Sequence, residues 1–202
     1  MRLREFSPYK PGFRVLGIAE SFNPERWDRS FLAGVVMRAD MVVDGFAIGE
    51  CTVGGMDSTD AVVEMYRGLG REDINLVMLG GCIISLFNIV DLPRVSEETR
   101  LPVVCLTYNP SEGLDEIIRD RFPADWEERL RIYSLNGPRE EVLLKTGHSV
   151  YVRRIGISRR GTEALLNRLT LSGRIPEPVR VARLLARSLL RFRAKTRLQA
   201  GP

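Results

Sequence analysis

Histidine is almost missing from this 202-residue chain, with His148 the only one. Zinc sites built on two histidines are therefore excluded, and a Ser-His-Asp triad would have one imidazole to draw on and no Gly-x-Ser-x-Gly elbow beside it. Cysteine is scarce too. Cys51, Cys82 and Cys105 are odd in number, widely spaced and set among apolar neighbours, with no Cys-x-x-Cys pair. They read as buried thiols in a reducing compartment, not as a disulfide framework. No apolar run approaches the ~20 residues of a membrane span, and the opening segment Met1-Arg-Leu-Arg-Glu-Phe-Ser-Pro8 has no apolar stretch of a signal peptide. The expectation is a cytoplasmic protein without a membrane partner. Lysine is limited to Lys10, Lys145 and Lys195, so 27 of the 30 basic residues are arginine. The planar guanidinium fork suits phosphate, carboxylate and aromatic faces, although a GC-rich genome or a hot habitat produces the same bias.

What the chain does have is a polarity of charge. The formal net charge of +4 hides it: residues 1–152 carry 17 basic and 24 acidic side chains, residues 153–202 carry 13 and 2. An acidic body is followed by a strongly basic last quarter. At 44% hydrophobic and 28% charged, the whole is long enough to bury a substantial core.

Residues 13–18 have the alternation and β-branched content of a strand. Two further strand-like runs, 30–38 and 41–49, are separated only by Ala39-Asp40, which implies a tight antiparallel hairpin. Asp57 or Ser58 is placed to cap a helix running to about Leu69, with Ala61, Val62, Met65 and Tyr66 at helical spacing. The continuous apolar run Asn75-Leu-Val-Met-Leu-Gly80 suits a buried parallel strand. Asp91 before Leu92-Pro93 signals another helix start, and 103–107 resumes as a strand. Residues 112–122 and 123–132 read as short acidic helices broken at Pro123. Strands are expected at 142–145 and 149–155, then a helix over 158–171, a rigid loop over 172–178 and a long helix over 179–197. An antiparallel three-strand meander, then parallel βα units, then C-terminal helices make an α/β protein with a mixed sheet, the element order of a ribonuclease H-like fold. No internal repeat or low-complexity linker divides it. The expectation is one domain over 1–192 and a basic, disordered tail over 193–202.

Four segments carry a family resemblance: Val15-Leu-Gly-Ile-Ala-Glu-Ser-Phe22, Gly55-Met-Asp-Ser-Thr59, Phe87-Asn-Ile-Val-Asp-Leu92 and Gly173-Arg-Ile-Pro-Glu-Pro-Val-Arg-Val-Ala182. Together they resemble an archaeal family catalogued as domain of unknown function 99 (uncharacterised protein family 0215), itself similar to endonuclease V. The resemblance spans Phe13 to Phe192 and implies the same ribonuclease H-like fold. It also implies a Mg²⁺ site held by carboxylates at the ends of the first strand and of the adjacent parallel strand, where metal ions polarise the phosphoryl oxygen and activate water.

Here this chain departs from the family. Where members read Gly-Ile-Asp it has Gly17-Ile18-Ala19, and where they read Leu-Asp-Gly it has Leu79-Gly80-Gly81. Loss of two carboxylates removes most of the charge that offsets dehydration of the ion. Glu20 is a substitute only if the strand ends before it, because successive strand side chains face opposite ways. Asp57 matches a family position but also reads as a helix N-cap, and Asp91 reads more naturally as a cap before Pro93. The candidate catalytic set is therefore Glu20, Asp57 and Asp91, with Asp60 nearby, and no cofactor is expected unless Mg²⁺ binds a rearranged set.

The basic quarter supplies the other candidate site. Arg180, Arg183, Arg187 and Arg191 fall at spacings of 3, 4 and 4 along one helix face, opposite Val179, Ala182, Leu185, Ala186, Leu189 and Leu190. Arg153 and Arg154, with Arg159 and Arg160, thicken the patch. The ridge suits a nucleic-acid backbone; alternatively it is a solvated face or one paired with acidic surface. Endonuclease V carries a Gly-His-Arg segment near this point, but His148 lies on the other side of the strand and reads as a satisfied, partly buried residue. Three functions follow: a nucleic-acid-binding protein with a decayed nuclease site, an active Mg²⁺-dependent endonuclease with rearranged carboxylates, or a structural subunit docking an acidic protein.

Overall fold

The computed structural model describes residues 10, 12–109 and 114–199, with side chains through Thr196. Three strands open the chain: β1 (Arg14–Ser21), β2 (Arg29–Arg38) and β3 (Val43–Thr52), joined antiparallel. The link between β2 and β3 is longer than the two residues expected. Met41 takes a left-handed turn conformation (φ 69°) and the third strand starts only at Val43. Helix α1 (Ser58–Gly68) follows, then β4 (Leu76–Leu79), a two-residue hairpin β5 (Ile83–Ile84) and β6 (Asn88–Ile89), and α2 (Leu92–Thr99). The strands of the hairpin, two residues each, are too short to show a period in the sequence. Strand β7 (Val103–Thr107), helices α3 (Asp115–Arg121) and α4 (Trp126–Leu135), strands β8 (Glu140–Leu143) and β9 (Ser149–Ile155), and helices α5 (Arg159–Leu169) and α6 (Glu177–Gln199) complete the order. Residues 112 and 113, where the first acidic helix was expected to begin, lie outside the described residues.

The main sheet has seven strands in the order β3-β2-β1-β4-β7-β9-β8. β1, β4 and β7 run parallel to one another, while β2, β3, β8 and β9 pair antiparallel to their neighbours. The central strands are buried on both faces, which is why β4 reads as an unbroken apolar run. One face packs Val15, Met78, Val104 and Leu106 against Leu165 and Leu169 of α5 and Val179 and Ala182 of α6. The other packs Leu16, Ile18, Val77 and Leu79 against Val62 of α1 and Leu92 and Val95 of α2. The C-terminal ends of β1, β4 and β7 therefore meet at one edge of the molecule, where Ala19, Gly80 and Tyr108 stand.

Helix α6 begins at Glu177, with Pro178 pre-set for its first turn, and continues through Gln199. The tail expected to fray after Phe192 is helical as far as it is described. Arg193 is held there by Glu50 at 3.0 Å and lies over the rings of Trp27 and Phe31. Residues 200–202 lie outside the described residues.

Candidate nucleic-acid interface

The start of α6 sits directly on the end of β1. A Cβ on Gly17 would lie 2.5 Å from the backbone carbon of Pro178, so only glycine lets the helix come this close. A Cβ on Gly80 would lie 2.9 Å from Val179 Cγ1 and 3.7 Å from Ala19 Cβ. Ala19 and Gly80 thus face each other beneath the first turn of α6, and the valine occupies the room a longer side chain would need. At these strand ends a cavity of about 20 Å³ is lined by Ala19, Glu20 and Gly80 together with apolar Ile18, Leu32 and Leu79. That is room for little more than one water molecule.

Glu20 belongs to the other face. Strand β1 runs past it to Ser21, so its side chain turns away from Ala19 toward the β5–β6 hairpin. Its Oε2 accepts hydrogen bonds from Ser85 N at 2.5 Å and Ser85 Oγ at 2.6 Å. Burial pushes its carboxyl above the usual range, partly offset by the Ser85 bonds. Ser85, Leu86 and Phe87 all have left-handed backbones (φ 45°, 62° and 61°), a costly run for residues with a Cβ. Glu20 anchors the start of this run. Gly54 N donates to the Ser85 carbonyl, and buried Arg129 donates to the carbonyls of Phe87, Gly54 and Gly55.

Asp57 precedes α1 but does not cap it with its side chain. Its carboxylate accepts from Thr52 N (3.0 Å), Thr52 Oγ1 (2.8 Å), Asn88 Nδ2 (2.7 Å) and Arg29 Nη1 (3.3 Å). Burial opposes ionisation, but the hydrogen bonds from Thr52 and Asn88 outweigh it and hold the carboxyl below its usual range. Asp91 does cap α2, accepting from Arg94 N at 2.9 Å, and Asp60 is paired with Arg94. Asp60 and Asp91 meet only through Arg94. Among the described residues no three Asp, Glu, His or Cys side chains converge as a cation site.

The arginines divide sharply. Arg153 is buried, donates from Nε to the Gly137 carbonyl at 2.8 Å and from Nη1 to Cys82 Sγ at 3.0 Å, and lies over the Tyr133 ring. It is a core residue, a correction to its place in the basic patch. Strand alternation and its cationic character concealed this, because the counter-group is a thiol. Arg154 is half-buried and is held by Glu140 at 2.9 Å and by the Ile157 carbonyl. Arg159 pairs with Glu163. His148 is exposed, not partly buried, in the turn between β8 and β9, with Nδ1 3.1 Å from the Thr146 carbonyl oxygen.

On α6 the periodic arginines do line the outside, with one exception. Arg180, Arg187 and Arg191 are exposed, interleaved with exposed Leu184 and Phe192, and Arg180 is clamped by Glu177 at 2.6 Å. Arg183 turns to the flank, its guanidinium 5.3 Å from the centre of the Tyr108 ring. Arg174, missed in the sequence because it lies in a loop without periodicity, stands 5.7 Å from the same ring and donates to the Tyr108 carbonyl. Burial raises the Tyr108 hydroxyl to about 12. A basic band therefore runs from the ends of β1 and β7 along α6.

A sequence model of the endonuclease dU family matches residues 11–190. The chain belongs to the endonuclease dU family. A UPF0215 protein of Pyrobaculum aerophilum is 36% identical over 178 residues, covering 88% of this chain and 94% of the relative. A crystal structure of an Archaeoglobus fulgidus protein of unknown function superposes with a TM-score of 0.74 at 28% identity, over 88% of this chain and 98% of that one. Endonuclease V of Ciona intestinalis, solved with an inosine-containing DNA, superposes with a TM-score of 0.63 at 13% identity, over 93% and 89%. That likeness fixes the fold as ribonuclease H-like.

For this endonuclease dU family chain, the residues present do not fit a divalent cation at the strand ends. Ala19, Gly80 and Val179 carry no side-chain oxygen there, and Glu20, which lines the small cavity beside them, is engaged by Ser85, whereas Mg²⁺ is ordinarily held through one or two carboxylates. Among the described residues no helix is long and apolar enough to cross a membrane.

Proposed function

We propose that this protein binds nucleic acid on an endonuclease V-like scaffold and has lost the metal-dependent cleavage chemistry. The observation that carries the reading is the packing of Val179 over Ala19 and Gly80, beside a basic band that is still present. The phosphate backbone would lie along the exposed guanidinium groups of Arg187 and Arg191, with Arg174 and Arg183 at the Tyr108 end. Counterion release from the phosphates then supplies most of the affinity. Membership of a family described as an endonuclease supports nucleic acid over an acidic protein as the partner.

Filter binding at low salt, with single-stranded, double-stranded and structured DNA and RNA, tests it. Retention that falls with salt, without cleavage in Mg²⁺ or Mn²⁺, is expected, and Arg183→Glu with Arg187→Glu weakens it. No retention of any substrate overturns the binding, whereas metal-dependent cleavage abolished by Asp57→Asn overturns the loss of chemistry.

A further inference from the structure

Strand β3 forms one edge of the main sheet, and its outer side is closed at both ends but open in the middle. Near one end Thr52 N donates to Asp57 and the Thr52 carbonyl accepts from Asn88, while Val53 N turns inward to the Asp28 carbonyl. Thr52 thus points its backbone groups away from β2. Backbone direction alternates along an antiparallel strand, so Glu50, Ile48 and Phe46 point the same way. The Glu50 carbonyl is taken by Arg29 at 3.2 Å. At the other end the register shift opposite Val36 and Met37 makes a bulge, and the Asp44 carbonyl is taken by Arg71. Between these closures the backbone groups of Phe46 and Ile48 are unused among the described residues, and their side chains are 56% and 57% exposed.

Edges left this way invite another strand: no lysine or proline stands between Val43 and Thr52, and the bulge and the charges of Asp44 and Glu50 lie outside the window of residues 46–48. Helix α1 packs on the face of β3 through Met65, beside the open backbone edge. A groove of about 360 Å³ lined by Ala47, Gly49, Glu64, Met65 and Gly68 keeps that side open.

The window is complementary to itself. We infer that β3 pairs antiparallel with β3 of a second copy of this chain, about a two-fold axis at Ala47. In this register Phe46 and Ile48 of one copy exchange backbone hydrogen bonds with Ile48 and Phe46 of the other, four bonds that use the open groups and no others. The same register sets each Phe46 ring directly opposite an Ile48 side chain, an aromatic–β-branched pair that stabilises sheets. The nearest charges, Asp44 and Glu50, fall opposite each other, but Arg71 already pairs with Asp44 and Arg193 with Glu50. Repulsion across the axis is thereby removed, and the seven-stranded sheet becomes one of fourteen.

The two Ala47 residues form a pair without mutual hydrogen bonds, whose Cα atoms approach to about 4.5 Å, within disulfide range. Light scattering behind size exclusion is expected to give twice the 22.8 kDa of the chain. Phe46→Lys with Ile48→Lys is expected to give the single-chain mass with an unchanged circular dichroism spectrum. Ala47→Cys is expected to form a covalent dimer under copper–phenanthroline oxidation, while the parent chain, whose three cysteines are buried, does not. A single-chain mass for the parent at micromolar concentration overturns the pairing, including the case where the edge captures a foreign peptide. A dimer that survives both lysines, or one in which Ala47→Cys fails to cross-link, overturns it as well.

Discussion

Val179 Cγ1 stands 2.9 Å from the point where a side chain on Gly80 would begin. One methyl group of α6 thereby fills the space beside Gly80, and the helix is seated by the glycine at position 17. The small residues at positions 17, 19 and 80 and the close docking of the helix are two aspects of one packing arrangement.

An acid at position 80 is therefore expected to cost stability. Gly80→Asp alone forces Val179 aside, an overpacking penalty of about 1–3 kcal/mol. Gly80→Asp combined with Val179→Ala recovers part of that loss. Urea denaturation of the two variants measures the difference, and equal stability would show that the valine does not obstruct the site.

Salt dependence separates the exposed arginines from the buried ones. Replacing Arg187 and Arg191 by Gln is expected to lower the slope of log affinity against log salt by about 0.9 per lost phosphate contact on double-stranded DNA. Fluorescence anisotropy across a salt series gives the slope directly.

Arg153 is expected to behave in the opposite way. Arg153→Met strips Cys82 Sγ and the Gly137 carbonyl of their donor and costs about 3 kcal/mol. On the proposed reading, the folded variant is expected to be retained with nucleic acid in filter binding to the same extent as the parent. A binding loss without a stability loss would return Arg153 to the interface.

Glu20 provides a pH test. Burial raises its carboxyl in the folded state, so its contribution to stability is full below the unfolded value near 4.5 and is lost as pH rises through the higher folded value. Glu20→Gln should therefore flatten stability against pH in the mildly acidic range. Glu20→Ala should instead destabilise at every pH by about 1–3 kcal/mol, because Ser85 N and Oγ lose their acceptor. Denaturation curves between pH 4 and 8 distinguish the two effects.

Much of the fold was legible because local pattern and tertiary role agreed. The apolar run at 76–79 is a doubly covered parallel strand, Asp91 caps α2 as its spacing before Pro93 implied, and the three cysteines are buried. The absence of acids at positions 19 and 80 needed only the sequence and the family pattern. The β5–β6 hairpin was not legible, since it is held by Glu20 and Arg129 from distant parts of the chain.

The sequence by itself determined the polarity of charge and the ribonuclease H-like order of elements, because composition, periodicity and spacing are local quantities. Only the tertiary structure decided which arginines meet solvent. A guanidinium looks the same in a sequence whether its partner is water, as for Arg187, or a buried thiol 71 residues away, as for Arg153. The same holds for Val179, an ordinary helix residue in the sequence. Its role comes from standing over Gly80, and that distance is set by how α6 packs on the sheet.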